Sequence, residues 1–271
     1  MPVYNGARFL AEAVESILAQ SVRQFELIAV DDGSTDESAE ILKQYAVGDA
    51  RVRVFERPHA GLPATLNFGC SLAEGRYIAR MDTDDIALPS RFERQIEFLE
   101  CHPQVAILGT QLEPIREDGT RIDVTNVPLA PADIVSNMQK FCCMHHPTVM
   151  MRAAALRELG GYREAFQAAE DHDLWLRAAE RYELANLPEV LLRYRIHTAA
   201  VSFHKLEQQV ISAMAADLAA ALRRAGKPDP FTGKACITRE DLQRTGLAAD
   251  ELDRGIQEAR NWYRSRNIQC A

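Results

Sequence analysis

The chain has 271 residues, of which 47% are hydrophobic and 26% are charged, a composition typical of a globular protein. Its formal net charge of −8 argues against nucleic acid or an anionic membrane surface as the main partner. No apolar run approaches the ~18 residues of a membrane span, and the first residues lack the basic start and apolar core of a signal peptide. Six cysteines without a C-x-x-C spacing agree with reduced thiols, so we expect a cytoplasmic protein.

Helices and strands alternate along the first part of the chain. Residues 8–20 carry apolar side chains on one helical face, and residues 25–30 form an apolar run that predicts a buried strand. The run ends in Asp31-Asp32-Gly33-Ser34-Thr35-Asp36, and Ser34-x-x-Glu37 predicts a capping box for the next helix. The pattern continues with a strand at 52–55, a helix opened by Pro63, and a strand at 77–81. Such alternation predicts an α/β fold whose mainly parallel sheet is covered by helices on both faces.

Three carboxylates in four positions follow the strand predicted at 77–81: Asp82, Asp84 and Asp85. At neutral pH they would repel one another by about 1 kcal/mol or more per close pair, even near a protein surface. A bound cation relieves that repulsion. Because Pro89 and the pattern Ser90-x-x-Glu93 predict a helix start just after them, the carboxylates lie on a loop between a strand and a helix. We interpret this loop as a candidate metal site, and a solvated acidic turn or an acidic helix N-terminus is the alternative.

The two acidic turns are expected at the same edge of the sheet, because parallel strands finish at one edge and ligands bind there in open α/β sheets. We interpret Asp31 and Asp32 as part of a nucleoside site. Asp82 and Asp84 would then hold a metal that binds the phosphates of the same ligand.

The regular alternation of strands and helices ends beyond Cys101. Segments 112–115 and 121–124 flank Glu117-Asp118-Gly119 and predict a hairpin-like turn. Helices are predicted at 131–138 and 153–159, with a strand at 148–151 and a helix stop at Gly160-Gly161.

Two later features are functional candidates. Residues 169–177 are acidic at the start and apolar along one helical face, and plain capping of a helix by acids also explains them. A strand at 189–196 leads to His197, although a lone histidine after a strand is usually structural or exposed. From 206 to 222 apolar residues step by four and predict a long helix, followed by two further helical stretches around Glu240 and at 253–264.

Seven segments resemble, in family order, the family 2 glycosyltransferases, inverting enzymes of the GT-A fold that use nucleotide-diphospho sugars. The matching segments are 2–6, 25–36 with Val-Asp-Asp-Gly-Ser-Thr-Asp, 75–91, 146–150, 160–162, 170–177 and 190–197. The resemblance covers residues 1–203, which we expect to form the catalytic GT-A domain, with 204–271 as a helical extension. It implies a Rossmann-like sheet.

The resemblance also implies a donor site. Pro2, Tyr4 and Asp32 are similar to the family's nucleoside-binding positions, with Tyr4 flanking the base and Asp32 accepting a hydrogen bond from it. Asp82-Thr83-Asp84 resembles the family's Asp-x-Asp motif, with Asp84 as the direct metal ligand and Asp82 as a sugar or ribose contact and further candidate ligand. His197 resembles a histidine that completes the metal site in some members. Carboxylate oxygens suit Mg²⁺ or Mn²⁺, and a histidine ligand would favour Mn²⁺.

Asp171 resembles the family's catalytic base, with Glu170 orienting it. An acceptor hydroxyl is a weak nucleophile, so a carboxylate within about 3 Å must take its proton as attack proceeds. A metal-bound diphosphate leaves without a separate acid, and one base on the opposite face gives a single displacement with inversion.

The expected function is therefore transfer of a sugar, UDP-linked in our interpretation, to a hydroxyl acceptor during polysaccharide, glycolipid or cell-surface glycan synthesis. A lipid-linked acceptor would allow peripheral association with the inner face of a membrane. Two alternatives stay open: a sugar-phosphate nucleotidyltransferase, which usually needs a Gly-rich basic loop near the start, and a non-catalytic module that binds carbohydrate or nucleotide sugar. Family members also carry apolar residues before the Pro2 position, so we expect either that the start is misassigned or that most of an inner strand is missing here.

Overall fold

A computed structural model describes residues 1–122, 124, 126–140, 142–197 and 205–265. The chain divides into two compact units, which we treat separately. The N-terminal unit comprises Met1–Gly161 and Arg181–Ile196, and the C-terminal unit comprises Tyr162–Glu180 and His197–Ala271. The expected boundary between residues 203 and 204 lies outside the described ranges and stays a prediction. The segment Tyr162–Glu180, which we expected in the catalytic domain, belongs to the C-terminal unit.

Within the described ranges, every strand belongs to the N-terminal unit, and both units contain helices. The strands are β1 (Pro2–Val3), β2 (Leu27–Asp31), β3 (Val52–Glu56), β4 (Tyr77–Ala79), β5 (Ile86–Ala87), β6 (Val105–Arg116), β7 (Met150–Arg152) and β8 (Glu183–Ile196). The helices of the N-terminal unit are α1 (Ala7–Leu18), α2 (Ser38–Gly48), α3 (Leu62–Leu72), α4 (Arg91–Cys101), α5 (Pro131–Asn137) and α6 (Ala153–Glu158). The C-terminal unit contains α7 (Glu170–Ala179), α8 (Leu206–Arg224), α9 (Arg239–Arg244) and α10 (Ala249–Ser265).

Two sheets form the N-terminal unit. Strands β1, β2 and β3 form a parallel sheet in that order, and the second sheet has the order β4-β7-β6-β8-β5. In the second sheet β6 and β8 are parallel, whereas the pairs β4–β7, β7–β6 and β8–β5 are antiparallel. The predicted α/β class is confirmed. The direction of β4, β5 and β7 could not be predicted, because strands of two or three residues carry too little pattern.

Hydrophobic burial explains the predicted elements of the first half. Helix α1 buries Leu10, Val14 and Ile17, which share one face at spacings of four and three residues. All of β2 is buried because it is the middle strand of its sheet. Each buried Leu, Ile or Val side chain contributes about 1.5–3 kcal/mol relative to exposure. Substitution of the fully buried Leu10 by Ala would cost about 2–5 kcal/mol.

Both predicted capping boxes are wrong. Helix α2 begins at Ser38, with Glu37 at its N-cap position, because the Ser34 hydroxyl is engaged earlier by Asp31. Helix α4 begins after Ser90, and within the described part of the chain Ser90 makes no side-chain cap bond. The Glu93 carboxylate instead accepts a hydrogen bond from the Ser21 hydroxyl at 3.0 Å. Other partners thus replace the expected cap at both places: Asp31 and the Asn5 amide at Ser34, and Ser21 at Glu93.

Several boundaries in the second half also differ from the prediction. The turn at Gly119 is present, with φ of +83°, and Arg116 donates its amide to the Thr120 carbonyl at 2.8 Å. The return segment pairs with β6 through an isolated bridge at Arg121, within the described residues. Residues His146–Thr148 form a 3₁₀ turn, so β7 starts later than expected, and β8 starts earlier.

The C-terminal unit is helical, as the spacing of apolar residues predicts. Helix α8 buries Ile211, Ala215 and Ala219 along one face, and Gly226, with φ of +67°, follows its end. Among the residues that the structure describes, no helix combines the length and apolarity needed to cross a membrane.

Candidate active site

Residues 82–85, here called the acidic loop, connect β4 to β5. Asp82, Asp84 and Asp85 each place a carboxylate oxygen within 4.8 Å of the others. Asp85 is fully buried, and its Oδ1 accepts a hydrogen bond from the Arg195 amide at 2.9 Å. Its Oδ2 is also buried and has no hydrogen-bond partner among the described residues. A cation could satisfy this oxygen, and three neighbouring carboxylates fit the oxygen preference of Mg²⁺ or Mn²⁺.

The electrostatics of the acidic loop favour positive charge. Burial raises the pKa of Asp85 well above its usual range, and the neighbouring Asp84 and Asp82 charges raise it further. Burial also raises the pKa of Asp82, against the opposing charge of Arg80, which forms an ion pair with it. The loop therefore carries more negative charge than its surroundings compensate.

Arg195 of strand β8 holds the acidic loop in place. Its backbone binds Asp85, and its Nε donates to the Asp84 carbonyl at 2.9 Å. The guanidinium also donates to the Glu117 carbonyl at 3.0 Å and pairs with the Glu12 carboxylate at 2.5 Å. With 3% exposure, Arg195 is a buried link between the loop, β8 and α1. Sequence reasoning missed this residue, because its partners are distant along the chain.

A second buried arginine, Arg91, holds the segment that leads from β4 into the acidic loop. Its guanidinium donates to the carbonyl of Arg80 at 2.8 Å and to that of Val149 at 3.2 Å, and to the side chain of Gln95 at 3.1 Å. Burial lowers the pKa of Arg91 to about 9, and the nearby Arg80 charge adds to this effect. Arg91 thus ties the start of α4 to the end of β4. No local signal in the sequence distinguishes it from a surface arginine.

Residues Asn5 and Gly6, here called the N-terminal corner, contact both acidic turns. The Asn5 amide donates to the Ser34 hydroxyl at 2.9 Å, and the Asn5 side chain accepts from the Thr35 amide at 2.8 Å. A Cβ added at Gly6 would lie 2.9 Å from Thr83 Oγ1. A larger residue at position 6 would therefore force the Thr83 side chain of the acidic loop to shift.

Tyr4 and Asp32, both predicted nucleoside contacts, meet at His59. The Tyr4 ring is half exposed and lies against the His59 ring, with centroids 4.2 Å apart. Asp32 is buried and accepts hydrogen bonds from the amides of Ala60 at 3.0 Å and Gly61 at 2.8 Å. The His59 Nδ1 lies 2.9 Å from Asp32 Oδ2. His59 was not predicted, since a lone histidine in a loop gives no signal of its own.

The remaining predicted donor residue, Pro2, lies in β1. Pro2 is paired with Val30 of β2, and the Met1 amine donates to the Ile28 carbonyl at 2.8 Å.

The acidic start of α7 lies in the C-terminal unit. Glu170 is buried, and Asp171 accepts a hydrogen bond from the His172 amide at 2.8 Å. Asp173 is fully buried and forms ion pairs with Arg163 and Arg177. These ion pairs account for the burial of Asp173 by a structural role, without a catalytic one.

Asp171 and His197 both belong to the C-terminal unit, whereas the acidic loop belongs to the N-terminal unit. The roles of Asp171 as base, Glu170 as its orienting residue and His197 as metal ligand stay predictions.

Comparison with known proteins identifies the family. A model of glycosyl transferase family 2 matches residues 1–160. EpsE of Bacillus subtilis (strain 168), which carries a glycosyltransferase name, is 42% identical over 201 residues, covering 72% of this chain and 71% of EpsE. The chain belongs to glycosyl transferase family 2. This family 2 protein is also 33% identical over 202 residues to the O-antigen biosynthesis glycosyltransferase WbnJ of Escherichia coli, covering 73% of this chain and 78% of WbnJ.

The fold agrees with that membership. The family 2 chain superimposes on the mannosyltransferase PcManGT of Pyrobaculum calidifontis, solved with GDP-Man and Mn²⁺, with a TM-score of 0.62. The match covers 97% of this chain and 73% of PcManGT at 18% identity. The predicted GT-A fold and the predicted family are both confirmed.

Proposed function

We propose that this family 2 glycosyltransferase moves a sugar from a nucleotide-diphospho sugar to a hydroxyl acceptor, with inversion and with Mn²⁺ or Mg²⁺ at the acidic loop. The observation that carries the proposal is the buried, unpartnered oxygen of Asp85 beside Asp82 and Asp84. A structural acidic turn would not bury such an oxygen, because burial of a charge without a partner is costly.

Asp84 and Asp82 would bind the cation directly, with His197 as the proposed third protein ligand. A divalent cation at this place supplies charge neutralisation of the departing diphosphate. The Mn²⁺ present in the PcManGT structure supports this proposal. Arg80 and Arg195 keep the protein side of the loop in a fixed shape through the Asp82 ion pair and the Asp84 carbonyl.

The nucleoside would bind against Tyr4 and His59. A half-exposed aromatic ring next to an imidazole offers a stacking surface for a base. Both Asp32 oxygens accept backbone amides, so Asp32 also organises the loop that presents His59. PcManGT was solved with GDP-Man, so a guanine donor must be tested beside the UDP-linked sugar that we expect.

The acceptor hydroxyl would lose its proton to Asp171 as it attacks the anomeric carbon. Proton removal by a positioned carboxylate contributes typically 10²–10⁴-fold to the rate. Glu170, buried at the start of α7, would orient Asp171.

The relative WbnJ, whose name places it in O-antigen biosynthesis, supports a place in polysaccharide biosynthesis. We propose a glycan hydroxyl as acceptor, free or lipid-linked. The enzyme would then act in the cytoplasm, with peripheral contact to the inner face of a membrane where the acceptor is lipid-linked.

A donor screen tests the proposal. Purified protein is incubated with UDP-, GDP- and dTDP-sugars, a glycan acceptor, and Mn²⁺, Mg²⁺ or EDTA, and release of nucleoside diphosphate is measured. We expect release with one donor and a divalent cation, and none with EDTA. Pyrophosphate release from a sugar phosphate and nucleoside triphosphate would indicate the nucleotidyltransferase instead. Tight donor binding with no release from any donor would indicate a binding module.

Three variants separate the roles. Asp171→Asn should abolish transfer and leave donor binding nearly intact, whereas Asp84→Ala should lose metal-dependent donor binding. Wild-type transfer by Asp171→Asn would contradict the assignment of the base. His197→Ala should alter the Mn²⁺ requirement, and an unchanged requirement would remove His197 from the metal site.

A further inference from the structure

Helices α7 and α8 of the C-terminal unit are joined at both ends by charged pairs. At the start of α7, His172 Nε2 lies 3.0 Å from Asp217 Oδ1 of α8. Just beyond the end of α7, Glu180 accepts two hydrogen bonds at 3.0 Å and one at 2.8 Å from the Arg223 guanidinium. Residues of the C-terminal extension therefore fix both ends of the helix that carries Asp171.

A third connection lies beside the second. Asp229, after α8, accepts a hydrogen bond from Arg163 at 2.7 Å and another from Arg223 at 2.7 Å. Arg163 also pairs with the buried Asp173 of α7. The extension is thus part of the support of α7, so it is more than an appendage to the catalytic domain.

The pair of His172 and Asp217 differs from the other charged pairs because it lies next to Asp171. Asp171 Oδ1 accepts the backbone N–H of His172 at 2.8 Å. The residue whose ring is anchored by Asp217 is therefore the residue whose amide holds the Asp171 carboxylate. Rotation of that peptide would move both groups together.

Charged groups surround the His172 ring. Asp171 and Asp173 act from its own helix and Asp217 from α8. Burial lowers the pKa of His172, but the hydrogen bond and charge of Asp217, with the charges of Asp171 and Asp173, outweigh it, so the pKa is raised. The imidazolium is thus favoured beside the Asp171 carboxylate.

We propose that His172, anchored by Asp217, is a positioning residue for Asp171: it fixes the peptide that binds the carboxylate and places a positive charge next to it. The inference rests on the proposed function, in which Asp171 takes the proton of the acceptor. It assigns a catalytic purpose to α8, which lies outside the residues that match the family model.

The test compares full-length His172→Gln and Asp217→Asn with Glu180→Gln as the matched control. The control breaks a pair between the same two segments, and the Glu180 side chain is 27% exposed against 30% for Asp217. For the two pair variants we expect kcat to fall about 10- to 100-fold, with the donor KM unchanged, because a misplaced base loses alignment but no donor contact. Glu180→Gln should lower Tm and leave kcat within about twofold.

The pH profile separates positioning from a general loss of structure. In His172→Gln the acidic limb of kcat/KM should move to higher pH by about 0.5–1 unit, because Asp171 loses a neighbouring positive charge. The double variant His172→Gln with Asp217→Asn should lose no more activity than either single variant. Asp217→Glu, which keeps the carboxylate, should restore part of kcat.

An NMR titration needs no substrate. The His172 amide proton should shift as Asp171 ionises, and Asp217→Asn should reduce that shift. Equal effects of all three variants on kcat and pH profile, or an amide shift unchanged by Asp217→Asn, would overturn the proposal. Full transfer by Asp171→Asn, with the amide shift lost in Asp217→Asn, would overturn the proposed base and leave the positioning contact established.

Discussion

Asp84→Asn should have opposite effects on the metal-free and the metal-bound protein. Without metal, the three carboxylates of the acidic loop repel one another, so removal of one charge should stabilise the fold. With Mn²⁺, the same substitution removes a proposed ligand and should abolish the stabilisation that the metal provides. A side chain with a purely structural role would change stability in the same direction under both conditions.

The size of the first effect follows from the geometry. Two unit charges at 4.8 Å, the limit for the oxygens of this cluster, repel by about 3.5 kcal/mol at an effective dielectric constant of about 20. Asp84→Asn removes two of these pairs. Because Arg80 pairs with Asp82, and burial disfavours the charged form of Asp85 and raises its pKa, the net gain is smaller, about 2 kcal/mol. For a chain of this size that is about 4–8 °C in Tm.

The pH dependence has a defined sign. The folded-state pKa values of Asp82 and Asp85 lie above the ordinary value of 3.8, so the metal-free folded state holds more protons than the unfolded state. Its stability therefore falls as pH rises from about 4 through the raised folded values. Asp84→Asn should flatten that decrease, because Asp84 raises both pKa values.

Calorimetric unfolding at pH 8, with EDTA or with Mn²⁺, measures these effects. A metal at 100 times its Kd should stabilise the wild type by about 2.7 kcal/mol and leave Asp84→Asn unchanged. Asp250→Asn, which alters a side chain that is 80% exposed, is the control. A lower Tm of Asp84→Asn in EDTA, or an equal Mn²⁺ shift in both proteins, would refute the reasoning.

Three further predictions concern the N-terminal unit. Arg195→Gln should weaken Mn²⁺ binding about tenfold or more in an EPR titration, because a lost hydrogen bond from a charged group to the Asp84 carbonyl costs about 1.5–3 kcal/mol, whereas Arg193→Gln on the same strand should not; equal affinities would contradict this. Gly6→Ala should destabilise by about 1–3 kcal/mol in urea through its clash at 2.9 Å, and Gly48→Ala, whose Cβ meets nothing within 4 Å, should not; similar midpoints would count against the close approach. Burial lowers the pKa of His145 from 6.5 to about 4, so stability is lost as pH falls below about 6.5; His145→Gln should recover about 2 kcal/mol at pH 5 and nothing at pH 8, and the same difference at both values would exclude titration as the cause.

The sequence predicts the helices and the family well, for physical reasons. Helix α1 follows from apolar spacing, and α8 ends near Gly226 as expected, because both signals are local. The capping boxes at Ser34 and Ser90 failed because Asp31 and the Asn5 amide bind the Ser34 hydroxyl, and because Ser21 binds the Glu93 carboxylate. Local patterns cannot show such competition.

The site was predicted in part. Asp82 and Asp84 form a cluster with Asp85, as three carboxylates in four positions suggest. Arg195 and Arg91 could not be found, since their partners lie far away in sequence and become neighbours only through the sheet. His59 depends in the same way on Asp32, 27 positions earlier. A family resemblance identifies the residues of a motif. The residues that hold the motif in place can be identified only from the structure.

The most direct measurement of the central claim is a crystal structure of the protein with Mn²⁺ and a non-transferable nucleotide-sugar analogue, with the metal located by anomalous scattering. We predict the Mn²⁺ peak at the Asp84 carboxylate against the diphosphate. We also predict the Asp171 carboxylate on the opposite face of the sugar, where it can reach an acceptor hydroxyl at about 3 Å. A metal bound away from Asp84, or Asp171 on a surface remote from the anomeric carbon, would contradict the proposed site.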